Sequence, residues 1–480
     1  MERAIILISS EQLKNIKHVH FIGIGGSGMY PIAQIFHSKG FYITGSDNNE
    51  TDTLKAVRDM GIEVFLGQRA ENIGDADLII YTAAIMADNP ELIAAKASGA
   101  LCCERAEILG LVTSWYDNAL CVCGTHGKTT ASSMLTQIFV DEGRDISCVI
   151  GGKLPSIHGS GLAGKGDTMV CEACEFEDHF LKLFPDAAII LNVDADHLEY
   201  FKTLDNIIKS FHTFAEMAKK AVIYNGDDEN TRKAVEGITG KTTITFGFNE
   251  GNDYRAEIKS KKGLVTAFDV YYKGELARTL RIHVPGDHNV LNALAAAAAA
   301  RYSGAEWDTI EKGLDNFFGA VRRFQKIDEV RGITIVDDYG HHPAEIACTL
   351  KAAKGLDFKR VWAVFQPFTY SRTKLLMDDF ARALEIADIS VITDIMGSRE
   401  KNTDGIYTEQ LGEKTKNAKW FFTEHDVVDQ QTAEQKEFNF NQCADYIAEN
   451  AQAGDIVITT GCGDVYKLAR ILAQKLREKE

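Results

Sequence analysis

The sequence predicts an α/β protein of three domains, each built on a parallel β-sheet covered by helices. The chain has 480 residues, more than a single hydrophobic core commonly serves, so about two to four domains are expected. Short apolar runs alternate with helical patterns along its length, which is typical of parallel sheets. Two of the apolar runs lead directly into glycine-rich loops, at residues 23–29 and 124–130.

The first series of elements occupies the first hundred residues. A helix is predicted over residues 27–39, and strands are predicted at 17–22, 41–44 and 78–82. Strands that alternate with helices in this way form a parallel sheet.

The second and third series continue the same pattern. In the second, strands are predicted at 119–123, 168–171, 187–192 and 221–224, and the alanine-rich segment 291–301 is predicted to be a buried helix because alanine is the strongest helix former. In the third, strands are predicted at 332–336, 361–365, 389–393 and 455–460. We place the domain boundaries near residues 117 and 321, which gives domains over 1–117, 118–321 and 322–480.

Composition and charge exclude several classes of protein. Hydrophobic residues make up 45% of the chain and charged residues 25%, as in ordinary soluble proteins. The net charge of −17 and the lack of a Lys/Arg-rich run argue against a nucleic-acid partner. No apolar run reaches the length of a membrane span, and the apolar stretch at residues 1–8 is too short for a signal peptide. We therefore expect a cytoplasmic protein, either a monomer or a dimer.

The ten cysteines are expected to be reduced in such a protein. Cys171 and Cys174 form a single C-x-x-C pair, which lacks the second pair that a structural zinc site needs.

The strongest local motif follows the predicted strand 119–123 and opens a helix. It reads Gly124-Thr125-His126-Gly127-Lys128-Thr129-Thr130. A loop of this kind turns its backbone N–H groups toward phosphate oxygens. Lys128 can reach the β- and γ-phosphates of a nucleotide, and the Thr129 hydroxyl can coordinate Mg²⁺. Only two residues separate the glycines, where the standard phosphate loop has four. The flanking strand and helix favour phosphate binding over a chance match.

The earlier loop, at residues 23–29, also lies between a strand and a helix. It resembles a dinucleotide-binding fingerprint, and Asp47 follows the second strand where an acid that binds ribose would lie. A tight turn needed only for packing is the alternative. Taken together, the two loops suggest a nucleotide-linked substrate on the first domain and ATP on the second.

Hard oxygen donors also follow two strands of the second series. Glu172 follows the strand at 168–171, Asn192 ends the strand at 187–192, and Asp194 and His197 follow it. Solvated side chains are the ordinary interpretation of a single such strand end. Two of them in the domain that carries the phosphate loop indicate Mg²⁺ binding.

These residues bring the chain into line with a known family, since it resembles the Mur ligases of peptidoglycan synthesis over nearly its whole length. The shared elements occur in the family order: G-I-G-G-S-G-M at 23–29, R-A-E at 105–107, G-T-H-G-K-T-T at 124–130, E-A-C-E at 172–175, N-V-D-A-D-H at 192–197, H-N-x-x-N at 288–292, R-R-F at 322–324, D-D-Y-G-H-H-P at 337–343 and Q-P-F-T-Y-S-R-T at 366–373. The D-D-Y-G-H-H-P segment is similar to that of the alanine-adding members. Cys174 stands where the family often has aspartate.

The resemblance implies the architecture and the chemistry. It implies an N-terminal Rossmann-like domain that binds UDP, a central ATP-binding domain of the P-loop ATPase type, and a C-terminal Rossmann-like domain that binds the amino acid and completes the ATP site. It also implies an ATP-dependent ligase that joins the lactyl carboxylate of UDP-N-acetylmuramate to L-alanine through an acyl phosphate, with ATP and two Mg²⁺ ions.

The candidate site residues fall into four groups. The candidate ATP-binding residues are Gly124, Thr125, His126, Gly127, Lys128, Thr129, Thr130, Asn289, Asn292, Arg323 and Asp337. The candidate UDP-sugar-binding residues are Gly23, Gly25, Gly26, Ser27, Gly28, Met29, Ser46, Asp47, Thr82 and Arg105. The candidate metal ligands are Thr129 and Glu172 for one Mg²⁺ and His197 for a second. The candidate catalytic residues are Lys128, His341 and Arg372.

Two of the catalytic assignments rest on chemistry as well as on resemblance. The amine must attack as a free base, and the ordinary pKa of a histidine suits His341 to accept its proton. Packing beneath the loop is the alternative role for His341. Arg372 can grip a carboxylate with two hydrogen bonds, and a surface salt bridge is the alternative.

Three other functions remain open at this stage. A nicotinamide-dependent oxidoreductase would use the first loop but leave the phosphate loop without a purpose. A nucleotide-switch protein would hydrolyse ATP without a carboxylate substrate. A murein-peptide recycling ligase would take a preformed peptide in place of L-alanine.

Overall fold

A computed structural model describes residues 10–82, 85–398, 400–423 and 432–478, so the apolar stretch at residues 1–8 lies outside it. The described chain forms two compact units. The first contains the described residues up to Ile258 together with Phe268–Arg281 and His288–Phe317, and the second contains Lys259–Ala267, Ile282–Asp287 and the described residues from Phe318 onward. No helix among the described residues is both long and apolar enough to cross a membrane.

The first sheet is a five-stranded, fully parallel sheet in the order β3-β2-β1-β4-β5. Its strands are β1 (His18–Ile22), β2 (Tyr42–Asp47), β3 (Glu63–Leu66), β4 (Leu78–Tyr81) and β5 (Leu101–Glu104). The helices of this region are α1 (Ser10–Asn15), α2 (Tyr30–Ser38), α3 (Asp52–Asp59), α4 (Pro90–Ala97) and α5 (Arg105–Thr113). The strand order reverses beside β1, so the loop after β1 opens at the carboxyl edge where α/β sheets bind ligands.

The second sheet has ten strands in the order β15-β14-β13-β12-β11-β10-β6-β9-β7-β8. Its strands are β6 (Asn118–Cys123), β7 (Ile146–Leu154), β8 (Gly159–Leu162), β9 (Thr168–Glu172), β10 (Ala187–Ile190), β11 (Ala221–Asn225), β12 (Thr242–Gly247), β13 (Tyr254–Lys262), β14 (Val265–Tyr272) and β15 (Glu275–Ile282). The helices are α6 (Lys128–Glu142), α7 (Leu198–Phe201), α8 (Leu204–Met217), α9 (Glu229–Val235), α10 (Asp287–Tyr302) and α11 (Trp307–Asp315). The alanine-rich segment lies in α10, and its alanines are buried as predicted.

The third sheet has six strands in the order β16-β17-β21-β18-β19-β20. Its strands are β16 (Gln325–Val330), β17 (Ile333–Asp338), β18 (Val361–Phe365), β19 (Ile389–Ile392), β20 (Ala418–Trp420) and β21 (Ile456–Thr460). The helices are α12 (Pro343–Lys354), α13 (Tyr370–Leu375), α14 (Met377–Leu384), α15 (Thr408–Lys414), α16 (Ala433–Asn450) and α17 (Tyr466–Glu478). Strand β16 is antiparallel to β17, and the other strands run parallel.

The predicted α/β class is confirmed, with one fully parallel sheet and two mixed sheets, because β8 is antiparallel to β7 and β16 is antiparallel to β17. One helix start differs from the prediction. Helix α2 begins at Tyr30, whereas the pattern predicted a start at residue 27. The reason lies in the loop, where the N–H of Gly26 donates to the carbonyl of Gly23 over 3.1 Å and Met29 donates to Gly26 over 2.9 Å. These turns use up residues 23–29 before a regular helix can start.

Candidate active site

The phosphate loop connects β6 to α6 in the first unit. Gly127 precedes α6 with a left-handed backbone (φ +86°), and Gly124 has a φ of +145°. A Cβ on Gly124 would lie 2.9 Å from that of Leu191, and one on Gly127 would lie 2.5 Å from Oδ1 of Asn292. Both glycines are therefore required by conformation and by space.

Asn192 holds the first half of this loop. Its backbone carbonyl accepts from the N–H of Thr125 over 3.1 Å, and its side chain pairs in both directions with the backbone of His126, over 2.8 and 2.9 Å. The N–H groups of Thr125 and His126 are thus already bonded.

The second half of the loop keeps its donors. No residue in the described part of the chain accepts a hydrogen bond from the backbone N–H groups of Gly127, Lys128, Thr129 or Thr130. These groups form the N-terminal turn of α6, where the helix dipole also favours an anion. The structure therefore supports phosphate binding at residues 127–130 rather than along the whole loop.

Lys128 folds back over its own loop. Its Nζ donates to the carbonyls of Gly124 and Thr125 over 2.7 and 3.1 Å, and to Oε1 of Glu175 over 2.9 Å. Burial on its own would lower the pKa of Lys128, but the attraction and hydrogen bond of Glu175 outweigh it and raise that pKa. The ammonium group is thus fully charged and fully bonded at neutral pH.

Glu172 lies at the end of β9, beside the start of α6. Its Oε1 accepts from the Thr129 hydroxyl over 3.1 Å, and its Oε2 accepts from the N–H of Gly151 over 2.7 Å. A carboxylate next to a hydroxyl at the edge of a phosphate loop provides the hard oxygen donors that Mg²⁺ prefers. This pair of residues therefore fits the predicted first metal site.

His197 does not belong to a preformed cluster of metal-binding side chains in the described structure. It has a left-handed backbone (φ +51°), its ring packs 4.8 Å from that of Phe176, and its Nε2 lies 4.0 Å from Oδ2 of Asp196. Within the described ranges, no three His, Cys, Asp or Glu side chains come together as a metal site. Mg²⁺ needs only one or two protein carboxylates when nucleotide phosphates and water supply the rest, so Glu172 is not excluded by this finding.

Asn289 and Asn292 in α10 support the loop from outside. The Asn292 side chain donates to that of Asn289 over 3.0 Å, and both residues are buried. Because the Asn292 amide contacts Gly127, this pair lies against the phosphate loop itself.

The loop at residues 23–29 brings together most of the candidate UDP-sugar residues. The N–H of Gly25 donates to Asp47 over 3.0 Å. A Cβ on Gly23 would lie 2.9 Å from Thr82, and one on Gly28 would lie 3.2 Å from the Arg105 side chain. Asp47, Thr82 and Arg105 therefore surround this loop, as a ligand site there would require.

The other candidates of this loop differ in exposure. Gly26 ends a turn, the Ser27 carbonyl accepts from the Ser160 hydroxyl over 2.9 Å, and Met29 is buried before α2. Ser46 is fully buried, and its hydroxyl donates to the buried Glu91 over 2.7 Å. The Ser46 hydroxyl thus supports the sheet interior, and only its carbonyl, which accepts from the N–H of Gly23 over 2.8 Å, contacts the loop.

In the second unit, candidate residues gather where β17, β21 and β18 end. The carboxylate of Asp337 accepts from Nε of Arg322 over 3.0 Å and from the Thr459 hydroxyl over 2.7 Å. Burial raises the pKa of Asp337, although the Thr459 hydroxyl and Arg322 both favour its charged form. Asp337 is therefore held inside the fold, and because it is fully buried, a direct contact with ATP would require the residues around it to move.

Three further candidates lie nearby in the same unit. The guanidinium of Arg323 lies over the Tyr339 ring at 5.4 Å. The His341 ring lies 3.2 Å from the carbonyl of Tyr339 and 3.5 Å from the Glu345 carboxylate, and it is about a quarter exposed. Nη1 of Arg372 is buried without a hydrogen-bond partner among the described residues. A buried guanidinium nitrogen without a partner favours a carboxylate ligand over a surface salt bridge.

The sequence does not predict the roles that three residues have at these sites. Glu175 pairs with Lys128, Asn192 holds the phosphate loop, and Arg322 rather than Arg323 binds Asp337. Glu175 and Asn192 both lie inside motifs read from the sequence, so a carboxylate or amide just after a buried strand was the available signal. Nothing in the sequence distinguishes the two adjacent arginines.

Comparisons with known proteins find the same family in three successive parts of the chain. A model described as "Mur ligase family, catalytic domain" matches residues 18–116, "Mur ligase middle domain" matches 122–300, and "Mur ligase, glutamate ligase domain" matches 322–463. The chain is 41% identical to a UDP-N-acetylmuramate–L-alanine ligase from Agathobacter rectalis, over 95% of this chain and 98% of that protein. It is 39% identical to the ligase of the same name from Caldanaerobacter subterraneus, over 95% and 97%.

Solved structures show the same similarity. The crystal structure of UDP-N-acetylmuramate–alanine ligase from Thermotoga maritima matches with a TM-score of 0.78 and 26% identity, over 97% of this chain and all of that one (100%). A murein peptide ligase from Psychrobacter arcticus shares the fold with a TM-score of 0.66 and 23% identity, over 96% and 98%.

Proposed function

Because this chain belongs to the Mur ligase family, we propose that it joins the lactyl carboxylate of UDP-N-acetylmuramate to L-alanine, with conversion of ATP to ADP and phosphate. This is a step of peptidoglycan synthesis, and we assign it to the cytoplasm. The observation that carries the proposal is the phosphate loop at residues 124–130, with its four open N–H groups beside Lys128 and the Thr129–Glu172 pair.

The reaction needs activation because a carboxylate has no good leaving group. In the first step, a carboxylate oxygen bonds to the γ-phosphorus of ATP, the bond to the β-phosphate oxygen breaks, and ADP leaves. In the second step, the amine nitrogen bonds to the acyl carbon, the C–O bond to phosphate breaks, and a proton leaves the nitrogen. The proposal thus accounts for one ADP, one phosphate and one amide per turn.

The phosphate loop serves the first step by stabilising negative charge. The N–H groups at the start of α6 and the Lys128 ammonium suit the phosphate oxygens of ATP. Thr129 and Glu172 would hold Mg²⁺, which would neutralise charge on those oxygens. We propose that His197 contacts a second Mg²⁺. We also propose that Asn289, Asn292 and Arg323 contact ATP.

The other candidate residues are proposed to bind the two reactants. The loop at residues 23–29, with Asp47, Thr82 and Arg105, is assigned to the UDP-linked sugar, because backbone N–H groups and an arginine suit its diphosphate. In the second unit, the unpartnered nitrogen of Arg372 supports a contact with the alanine carboxylate. His341 is assigned as the group that accepts the proton of the amine.

The experiment is an assay of phosphate release with ATP, Mg²⁺ and UDP-N-acetylmuramate, in which the amine is varied. We expect release that depends on L-alanine and is weak with the tripeptide of recycled murein. Release with the tripeptide alone would replace the proposal with that of a recycling ligase. Release of phosphate with no amine or sugar present would indicate a nucleotide-switch ATPase.

A further inference from the structure

Glu175 is a buried carboxylate at the phosphate loop that the proposed mechanism does not use. Its side chain is 3% exposed, and its two oxygens lie 2.9 and 2.8 Å from Nζ of Lys128. Among the described residues, Lys128 is the ion-pair partner of this carboxylate; its Nζ donates a hydrogen bond to Oε1, and the buried Oε2 accepts none. We propose that Glu175 competes with the nucleotide phosphate for Lys128, so that ATP has to displace an internal ion pair when it binds. This inference rests on the proposed binding of ATP at the loop.

The competition follows from counting donors. An ammonium group has three N–H donors and no acceptor. Two donors of Lys128 go to the loop carbonyls of Gly124 and Thr125, which belong to the binding loop itself, and the third goes to Glu175. A phosphate oxygen that bonds to Lys128 without disturbing the loop must therefore take the donor that Glu175 holds.

The backbone around Glu175 keeps its carboxylate in this position. The N–H of Ala173 donates to the carbonyl of Val122 over 2.8 Å, and the N–H of Asp178 donates to the carbonyl of Glu175 over 2.9 Å. The backbone around Glu175 is thus fixed on one side by β6 and on the other by the turn that follows Glu175. The anion stays beside the site, so it also repels the negative charge of the phosphates.

Replacement of Glu175 by glutamine separates this role from a structural one. Glu175→Gln keeps the shape and a neutral acceptor but removes the charge. The substitution should lower the melting temperature without nucleotide, because Lys128 loses its buried counter-charge. It should also tighten the binding of Mg·ATP by about tenfold, or about 1.4 kcal/mol, because the competing anion is gone. A purely structural role for Glu175 predicts the lower melting temperature with equal or weaker binding.

The chain contains a matched control on its surface. Glu229 and Lys233 in α9 form a pair of the same type at 2.8 Å, and both side chains are more than half exposed. Glu229→Gln should leave the dissociation constant of Mg·ATP and the melting temperature within error of the wild type, since exposed pairs contribute little.

The experiment measures the Mg·ATP dissociation constant by calorimetry on the full chain, together with melting temperatures. Tighter binding by Glu175→Gln supports the inference, and unchanged or weaker binding overturns it while the proposed function stands. If the wild-type protein binds no Mg·ATP, both this inference and the proposed function are wrong.

A stability measurement without nucleotide checks the pair itself, in case Glu175→Gln folds poorly. Lys128→Met leaves the carboxylate buried and unpaired, so adding Glu175→Gln should restore part of the lost melting temperature. No restoration would mean that the two side chains are not coupled, which also overturns the inference.

Discussion

Replacing Gly127 by alanine tests whether the start of α6 is the phosphate site. Gly127 has a left-handed backbone (φ +86°), and the added Cβ would lie 2.5 Å from Oδ1 of Asn292. Asn292 is 4% exposed and bonded to Asn289, so the loop rather than the asparagine should move. The left-handed conformation costs alanine about 1–2 kcal/mol. A loop displaced by about 1 Å should lower kcat/KM for ATP by roughly 100-fold.

Gly143 offers a matched control at the other end of the same helix. It is also left-handed (φ +76°), but no atom lies within 4 Å of the position of its added Cβ. Gly143→Ala should therefore lower the free energy of unfolding, measured with urea, by about 1–2 kcal/mol. It should keep the wild-type kcat/KM for ATP in steady-state assays. Wild-type kcat/KM for ATP in Gly127→Ala, or an equal loss in Gly143→Ala, would refute the reasoning.

Three other predictions concern the metal, the amino acid and pH. Glu172→Gln should raise the Mg²⁺ concentration for half-maximal rate by about 10–100-fold, because it removes the carboxylate beside Thr129; an unchanged Mg²⁺ titration would refute this. Arg372→Lys should raise KM for L-alanine about tenfold and leave KM for ATP unchanged, since lysine cannot form the paired bonds; equal effects on both KM values would contradict the assignment. Burial lowers the pKa of His179, although the Glu104 carboxylate at 3.6 Å favours the charged ring. The folded protein therefore binds fewer protons than the unfolded chain near the ordinary histidine pKa of about 6.5. The free energy of unfolding should fall as the pH drops through this value. His179→Asn should make the fall in melting temperature between about pH 7.5 and 5.5 shallower, and a steeper fall would count against this explanation.

The buried parallel strands could be predicted because they are continuous apolar runs. Strand β18 has the predicted bounds, Val361–Phe365, and all five of its residues are buried. The strands β13 to β15 were not predicted from the sequence. In β13 (Tyr254–Lys262), only Tyr254 and Ala256 are buried, Arg255 and Ile258 are half-buried, and the other charged or polar residues are exposed. A strand that buries so little leaves a weak apolar pattern.

Some contacts in the candidate site could likewise be predicted from the sequence, and others could not. The contact of Thr129 with Glu172 was predictable, because each follows a buried strand at the same edge of the sheet. Glu175, the partner of Lys128, directly precedes a turn after β9 in which Glu177 and Asp178 both adopt positive φ angles. Likewise, Arg322, which pairs with Asp337, has a left-handed backbone (φ +63°). Such conformations arise from tertiary packing and leave no regular pattern in the sequence.

The path of a single oxygen atom tests the proposed reaction most directly. UDP-N-acetylmuramate labelled with ¹⁸O in its lactyl carboxylate would be converted with ATP, Mg²⁺ and L-alanine, and the released phosphate analysed by mass spectrometry. An acyl phosphate requires one labelled oxygen to pass from each carboxylate to phosphate, while the other stays in the amide. Phosphate that carries one ¹⁸O per amide formed would support the account. Unlabelled phosphate formed together with the amide would contradict it.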